Sequence, residues 1–206
     1  MKVISIISQK GGASKTTLAI HLAVEAIADG KEAMIIDLDP QASATKWKDL
    51  REAEDPVVIS AQASRLEHNL NIAREAGAEL VIIDNAPHSD NSALLSCKQS
   101  DLVLIPSKIG ILDLQTVPDS INIAQLAGAK NIVIVMSAIP YKGNIISEAR
   151  VILDNLGVVV SPCTIAQRVI FSHSLNEGKT AKEVEPTGKA SREIEQLYKW
   201  LLNILY

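Results

Sequence analysis

The stretch Ser8-Gln9-Lys10-Gly11-Gly12-Ala13-Ser14-Lys15-Thr16-Thr17 decides how this chain folds. The apolar run Val3-Ile4-Ser5-Ile6-Ile7 precedes it, and the helical pattern LAIHLAVEAIA over 18–28 follows. Strand, glycine-rich turn and helix in that order make a phosphate cradle. Gly11 and Gly12 let backbone N–H groups turn toward an anion, and the helix starting near Lys15 adds its positive end. Lys15 can reach β- and γ-phosphates, and the Thr16 hydroxyl can ligate Mg²⁺. The loop departs from G-x-x-x-x-G-K-[ST] twice, with Gln9 at the first glycine position and Ser14 at the second. If the backbone needs φ > 0 at Ser14, its Cβ costs on the order of 1–2 kcal/mol. The plain alternative is a glycine-rich turn with a chance Lys-Thr pair.

Outward from this loop, apolar runs alternate with helical patterns. The spacing predicts strands over 3–8, 32–37, 57–60, 79–84, 102–106, 131–136 and 158–161. It predicts helices over 15–28, 42–53, 65–76, 91–98, 112–126, 145–156 and 188–205. Runs such as LVII, LVLI and IVIV are apolar at every position, as strands are when helices cover both faces of a parallel sheet. Gly30, Gly77, Gly128 and Gly157 fall where helices should stop. The expected fold is therefore α/β: a doubly wound, mostly parallel twisted sheet flanked by helices. No repeat, low-complexity tract or linker interrupts it, so one domain over 1–206 is expected. The polar stretch 176–187 reads as a surface loop.

Two further strand ends carry carboxylates. The second strand closes on Asp37-Leu38-Asp39-Pro40-Gln41, and the fourth on Asp84-Asn85-Ala86-Pro87. Ligands of open parallel sheets bind at strand C-terminal edges. An apolar strand ending in Asp is the Walker B pattern, which sets a carboxylate near Mg²⁺. The bland readings are an Asp-Pro turn and a strand-capping Asp. The three strand ends meet only if strands one, two and four are close neighbours.

Lys10 before Gly11-Gly12 makes the loop similar to K-G-G-x-G-K-T-T, the deviant Walker A box of the ParA/MinD ATPases. Asp37-Leu38-Asp39-Pro40-Gln41 resembles that family's D-x-D-P-Q, and Pro162–Arg168 contains its T-I-x-Q-R. Leu112-Asp113-Leu114 after Ile105-Pro106 is similar too, and the resemblance extends along nearly the whole chain. It is greatest to the small ParA partition ATPases, with no helix-turn-helix segment expected before Met1. The resemblance implies ATP and Mg²⁺ as ligands, with Lys10, Gly11, Gly12, Ala13, Ser14, Lys15, Thr16 and Thr17 on the nucleotide. It implies Thr16, Asp37 and Asp84 at the metal, with Asp39 orienting the attacking water. Ser137 stands where the family often places an adenine-recognising Asn. Lys10 would cross to the partner's nucleotide in an ATP-dependent homodimer, where a second cation offsets charge developing in phosphoryl transfer. A ParB-like or adaptor protein would stimulate hydrolysis and release nonspecific DNA, so that a plasmid, chromosome region or protein cargo is moved.

Composition bounds these readings. With 47% hydrophobic residues but only two Trp, three Tyr and one Phe among 206, the core must be aliphatic. No run approaches the roughly 18 apolar residues of a membrane span, and no cleavage site follows the N-terminal run. Cys97 and Cys163 are isolated, which points to neither a disulfide framework nor zinc and leaves a cytoplasmic location expected. His21, His68, His88 and His173 have no ligand spacing and read as core or solvated residues. That disfavours a metabolic enzyme of the same fold. A net charge of -4 argues against a strong grip on nucleic acid. The candidate DNA contacts are Lys142, Arg150, Arg168, Lys179, Lys182, Lys189 and Arg192, although Glu177, Glu183, Glu185, Glu193 and Glu195 oppose those near the C-terminus. The last helix offers a MinD-like alternative, since Ile194, Leu197, Tyr198, Leu201, Leu202 and Leu205 share one face. Its balanced charges favour packing in the core over a membrane surface.

Overall fold

A computed structural model describes residues 1–140 and 145–206. Seven strands form one wholly parallel sheet: β1 (Lys2–Ile6), β2 (Ala33–Asp37), β3 (Val57–Ser60), β4 (Leu80–Asp84), β5 (Leu102–Ser107), β6 (Ile132–Met136) and β7 (Val159–Val160). Their order across the sheet is β3-β2-β4-β1-β5-β6-β7. The chain winds outward through β2 and β3, returns to insert β4 beside β1, then leaves on the other side through β5. The winding thus reverses at β1, and such a switch point opens a crevice at the strand C-termini. Asp37 and Asp84 are register partners there, and Asp84 is also the partner of Ile6. The required adjacency of strands one, two and four is met.

Helices α1 (Lys15–Ala28) and α10 (Lys189–Leu205) cover one face. The other is covered by α3 (Leu66–Glu75) on one side and by α4 (Asp90–Lys98), α6 (Val117–Leu126) and α7 (Ile145–Asp154) on the other. The strands alternate between these cores. Ile4, Ile6 and Ile82 pack under α1 and α10, whereas Val3, Val81 and Ile83 pack under α3. This two-sided cover is why the runs are apolar throughout. Ile194, Leu197, Tyr198 and Leu201 of α10 are each at most 2% exposed, so its apolar face is packed into the core.

Two expectations needed correction. The 112–126 helix is two pieces, α5 (Ile111–Leu114) and α6, because Pro118 in the first turn of α6 cannot donate backward and opens a new helix. The stretch 176–187 is not a surface loop. It follows α8 (Val169–Asn176), contains α9 (Ala181–Val184), and is strapped to α1 and to α2 (Ser43–Leu50). Trp47 Nε1 donates to the Lys179 carbonyl, and Arg51 donates to the Gly178 carbonyl and bidentately to Glu183. Lys182 pairs with buried Glu25 at 2.6 Å. Thr180 and Glu183 close a capping box on α9. Gly178 has φ +68, and a Cβ there would lie 2.5 Å from the Leu50 carbonyl, so only glycine lets the strap sit this close.

His21 fastens the same strap from α1. It is buried, its Nδ1 lies 2.8 Å from the Thr17 carbonyl, and its Nε2 accepts from Ala181 N–H at 3.1 Å. A neutral imidazole protonated at Nδ1 satisfies both contacts. The ring also meets Phe171 edge-on at 5.0 Å. Burial holds its pKa down at about 4. His21 is thus a core histidine, one of the two readings its spacing left open.

Candidate nucleotide-binding site

The loop between β1 and α1 lies at the switch point and lines a cleft of 320 Å³ with Gly11, Gly12, Ser14, Lys15, Thr16, Asp39 and Pro87. Its ends are anchored. Gln9 donates its backbone N–H to Ser120 on α6 and its side chain to Asp90 on α4. At the other end, Ala13 is buried and its carbonyl accepts from Ser137 Oγ at 3.0 Å. Ser137 is 0% exposed, so it braces the loop from beneath and its hydroxyl is out of reach of a base. That corrects its expected role in base recognition.

Gly12 takes φ +70, and Ser14, the N-cap of α1, takes φ 74. Ser14 therefore occupies the left-handed region with a side chain, at the position where the resemblance has glycine. Its side chain makes no capping hydrogen bond. The loop is built to its pattern here at a backbone cost on the order of 1–2 kcal/mol.

Lys15 is 6% exposed and its Nζ donates at 3.5 Å to the carbonyls of Ser8 and Lys10. Burial lowers its pKa, while Asp84 and Asp39 work to raise it. Asp84 is fully buried and neither carboxylate oxygen has a hydrogen-bond partner among the described residues. Burial pushes its pKa up to about 7, with Asp37 and Asp39 adding to the rise and Thr16 and Lys15 opposing it. A buried carboxylate without partners is costly unless a cation compensates it. Asp84 with the Thr16 hydroxyl beside it fits one hard divalent ion. No cluster of three or more His, Cys, Asp or Glu suits a metal among the described residues. Mg²⁺ needs no such cage, because it takes one or two protein ligands plus phosphates and water.

Asp37 is buried and its acceptors are mostly occupied. Its Oδ1 accepts from Asp39 N–H, and its Oδ2 from both the N–H and hydroxyl of Thr45. It shapes the turn that carries Asp39. Asp39 accepts from Gln41 N–H at 2.8 Å and faces the cleft. Asn85 braces the β4 end by donating to Ser5 Oγ and the Ile6 carbonyl. Lys10 pairs with Asp113 of α5 at 3.5 Å. Beyond Ser14 and Thr17 a second cavity of 330 Å³ is lined by Ile165, Gln167, Arg168, Phe171, Ser172 and Asn176. Nothing in sequence spacing announced this cavity, because α8 completes it.

The candidate DNA contacts do not converge. Arg150 donates to Asp154 and to the carbonyls of Val160 and Ser161, fastening α7 to β7. Arg168 is bidentate to Glu193, and Lys182 is held by Glu25. These three are half-buried and already hold neighbouring elements together, which the expectation of DNA contacts did not foresee. Lys179 pairs with Glu177, Lys189 and Arg192 are exposed, and Lys142 lies outside the described residues. No helix among the described residues is long and apolar enough to cross a membrane.

A family model described as an AAA domain matches residues 1–74. The chain is 28% identical over 202 residues to the maintenance of carboxysome distribution protein A of Gloeobacter kilaueensis, covering 96% of this chain and 91% of that protein. The chain is thus similar in sequence to a ParA/MinD-type protein over nearly its whole length. The same architecture recurs in two solved ParA/MinD-type structures. The cell division ATPase MinD of Pyrococcus furiosus superposes with a TM-score of 0.82 at 17% identity, covering 98% of this chain and 99% of that one. A variant of Cyanothece McdA in complex with ATP superposes with a TM-score of 0.80 at 16% identity, covering 100% and 96%. Those two likenesses establish the ParA/MinD fold, and the relatives' own names speak of carboxysome distribution and cell division.

Proposed function

We propose that the 206 residues act as one Mg²⁺-ATP-dependent positioning ATPase that cycles between monomer and homodimer. The observation that carries this reading is Asp84, buried without a partner beside Thr16 and Lys15 at the foot of a phosphate loop. Lys15 and the loop N–H groups hold the phosphates, with Thr16 and Asp84 at Mg²⁺ and Asp37 reaching it through water. When bound, Mg²⁺ would neutralise charge on the phosphate oxygens. Asp39 orients the attacking water, and the base lies in the cavity between Ser14 and Phe171. Lys10 exchanges Asp113 for a partner's phosphate. Ile111 and Leu112, 61% and 66% exposed on the short helix that carries Asp113, supply apolar contact for the second copy.

Nonspecific DNA binding by the dimer would fall to Lys179, Lys189 and Arg192, and a ParB-like or adaptor protein would trigger hydrolysis. A second reading is supported by Ser14: its φ of 74 is consistent with a switch that binds ATP and turns it over poorly. The test compares ATP binding and turnover of this chain, Ser14→Gly and Asp39→Ala, with and without duplex DNA. The expected result is binding in all three, turnover at least about tenfold lower in Asp39→Ala, and acceleration by DNA. Turnover restored only by Ser14→Gly supports the stalled switch, and binding in none of them refutes the ATPase reading.

A further inference from the structure

The loop after β5 runs beside the phosphate loop because β5 pairs directly with β1. It carries Lys108 between Ser107 and Ile109, which are 3% and 5% exposed. The backbone on both sides is therefore held. Ser107 Oγ donates to the Lys108 carbonyl, and the Ser107 carbonyl accepts from Ser137 N–H, the same Ser137 whose hydroxyl braces Ala13. From this fixed base the Lys108 side chain reaches over the phosphate loop. Its Nζ lies 3.7 Å from where a Cβ on Gly12 would stand. Among the described residues no carboxylate pairs with it, in contrast to Lys10, which Asp113 holds.

Direction along the loop gives the contact meaning. Ser14 and Thr17 line both cavities, whereas Gly11 and Gly12 line only the one facing Asp39. A nucleotide with its base in the cavity toward α8 puts its terminal phosphates in the one facing Asp39. We infer that Lys108 is a third phosphate-binding cation of this site, acting on the terminal phosphates of the nucleoside triphosphate. The inference rests on the reading of the site given above. Lys108 is a point charge on a held stretch of backbone, whereas Lys10 must first leave an ion pair. It would therefore favour triphosphate over diphosphate before a second copy arrives.

The test is equilibrium binding of fluorescent ATP and ADP analogues with Mg²⁺ to the full chain, to Lys108→Gln and Lys108→Arg, and to Lys130→Gln as an exposed control at the opposite strand ends. Circular dichroism melts check that each variant folds. The expected result is triphosphate binding weakened roughly 5- to 30-fold in Lys108→Gln. Diphosphate binding should change less than about twofold, with partial recovery in Lys108→Arg and no change in Lys130→Gln. Unchanged triphosphate affinity in Lys108→Gln overturns the inference while leaving the nucleotide site standing, and so does equal loss for both nucleotides. If the unaltered chain binds neither analogue, the reading of the site itself fails.

Discussion

Two residues show how much one side chain's surroundings decide. Asp84 and His21 are both buried titratable groups, yet only His21 has its hydrogen bonds completed. Protonating His21 would turn Nε2 into a donor facing the Ala181 N–H. Its folded pKa of about 4 lies below the ordinary 6.5. Between these values the unfolded chain binds a proton that the folded chain refuses. The contribution of His21 to stability is therefore full above pH 6.5, falls as pH drops toward 4, and levels off below that, a loss of about 3 kcal/mol. Denaturant titrations across this range should show that slope in the native protein and a flatter one in His21→Gln. Equal slopes would mean that His21 is not buried neutral. At this scale the sequence was legible in placement where a residue sits in a motif, since Lys15, Thr16 and Asp84 come together at the loop after β1. It misled at Ser137, Arg150 and Arg168, because spacing does not say whether a polar group faces a ligand or a neighbouring carbonyl.

Elements were legible where periodicity is long. The strands follow from apolar runs and α1 from its helical pattern closed by Gly30, and α1 begins and ends where that pattern does. The strap from α8 to α9 was illegible for a physical reason. Its polarity is satisfied internally by Arg51, Glu25 and Trp47, residues more than 100 positions away in sequence. The only local sign was Thr180-x-x-Glu183, a capping box on a helix of one turn. Gly178 sets how closely the strap docks. Gly178→Ala must leave the left-handed region or push the Leu50 backbone away, at a cost of order 1–3 kcal/mol. The expected outcome is a lower melting temperature by several degrees, together with protease cleavage near 176–187. An unchanged melt would show that the strap carries little of the fold's stability. Because α8 also lines the cavity beyond Ser14, loosening the strap should weaken nucleotide binding as well.

For the molecule as a whole, the sheet order brings the loop after β1 together with the strand ends of β2, β4 and β5. The apolar face of α10 is used in covering that sheet, so that face is not presented to a membrane surface. At the phosphate end the apolar pair Ile111 and Leu112 is exposed, next to the half-buried ion pair of Lys10 and Asp113. The central claim is that ATP draws Lys10 from Asp113 into the site of a second copy. Sedimentation velocity with Mg²⁺ and a non-hydrolysable ATP analogue tests it most directly, run on the native chain and on Lys10→Ala at equal nucleotide saturation. The account expects the native chain to shift from monomer to dimer on adding the analogue and Lys10→Ala to bind it yet stay monomeric. A native chain that stays monomeric when saturated, or a Lys10→Ala chain that dimerises equally well, would contradict it.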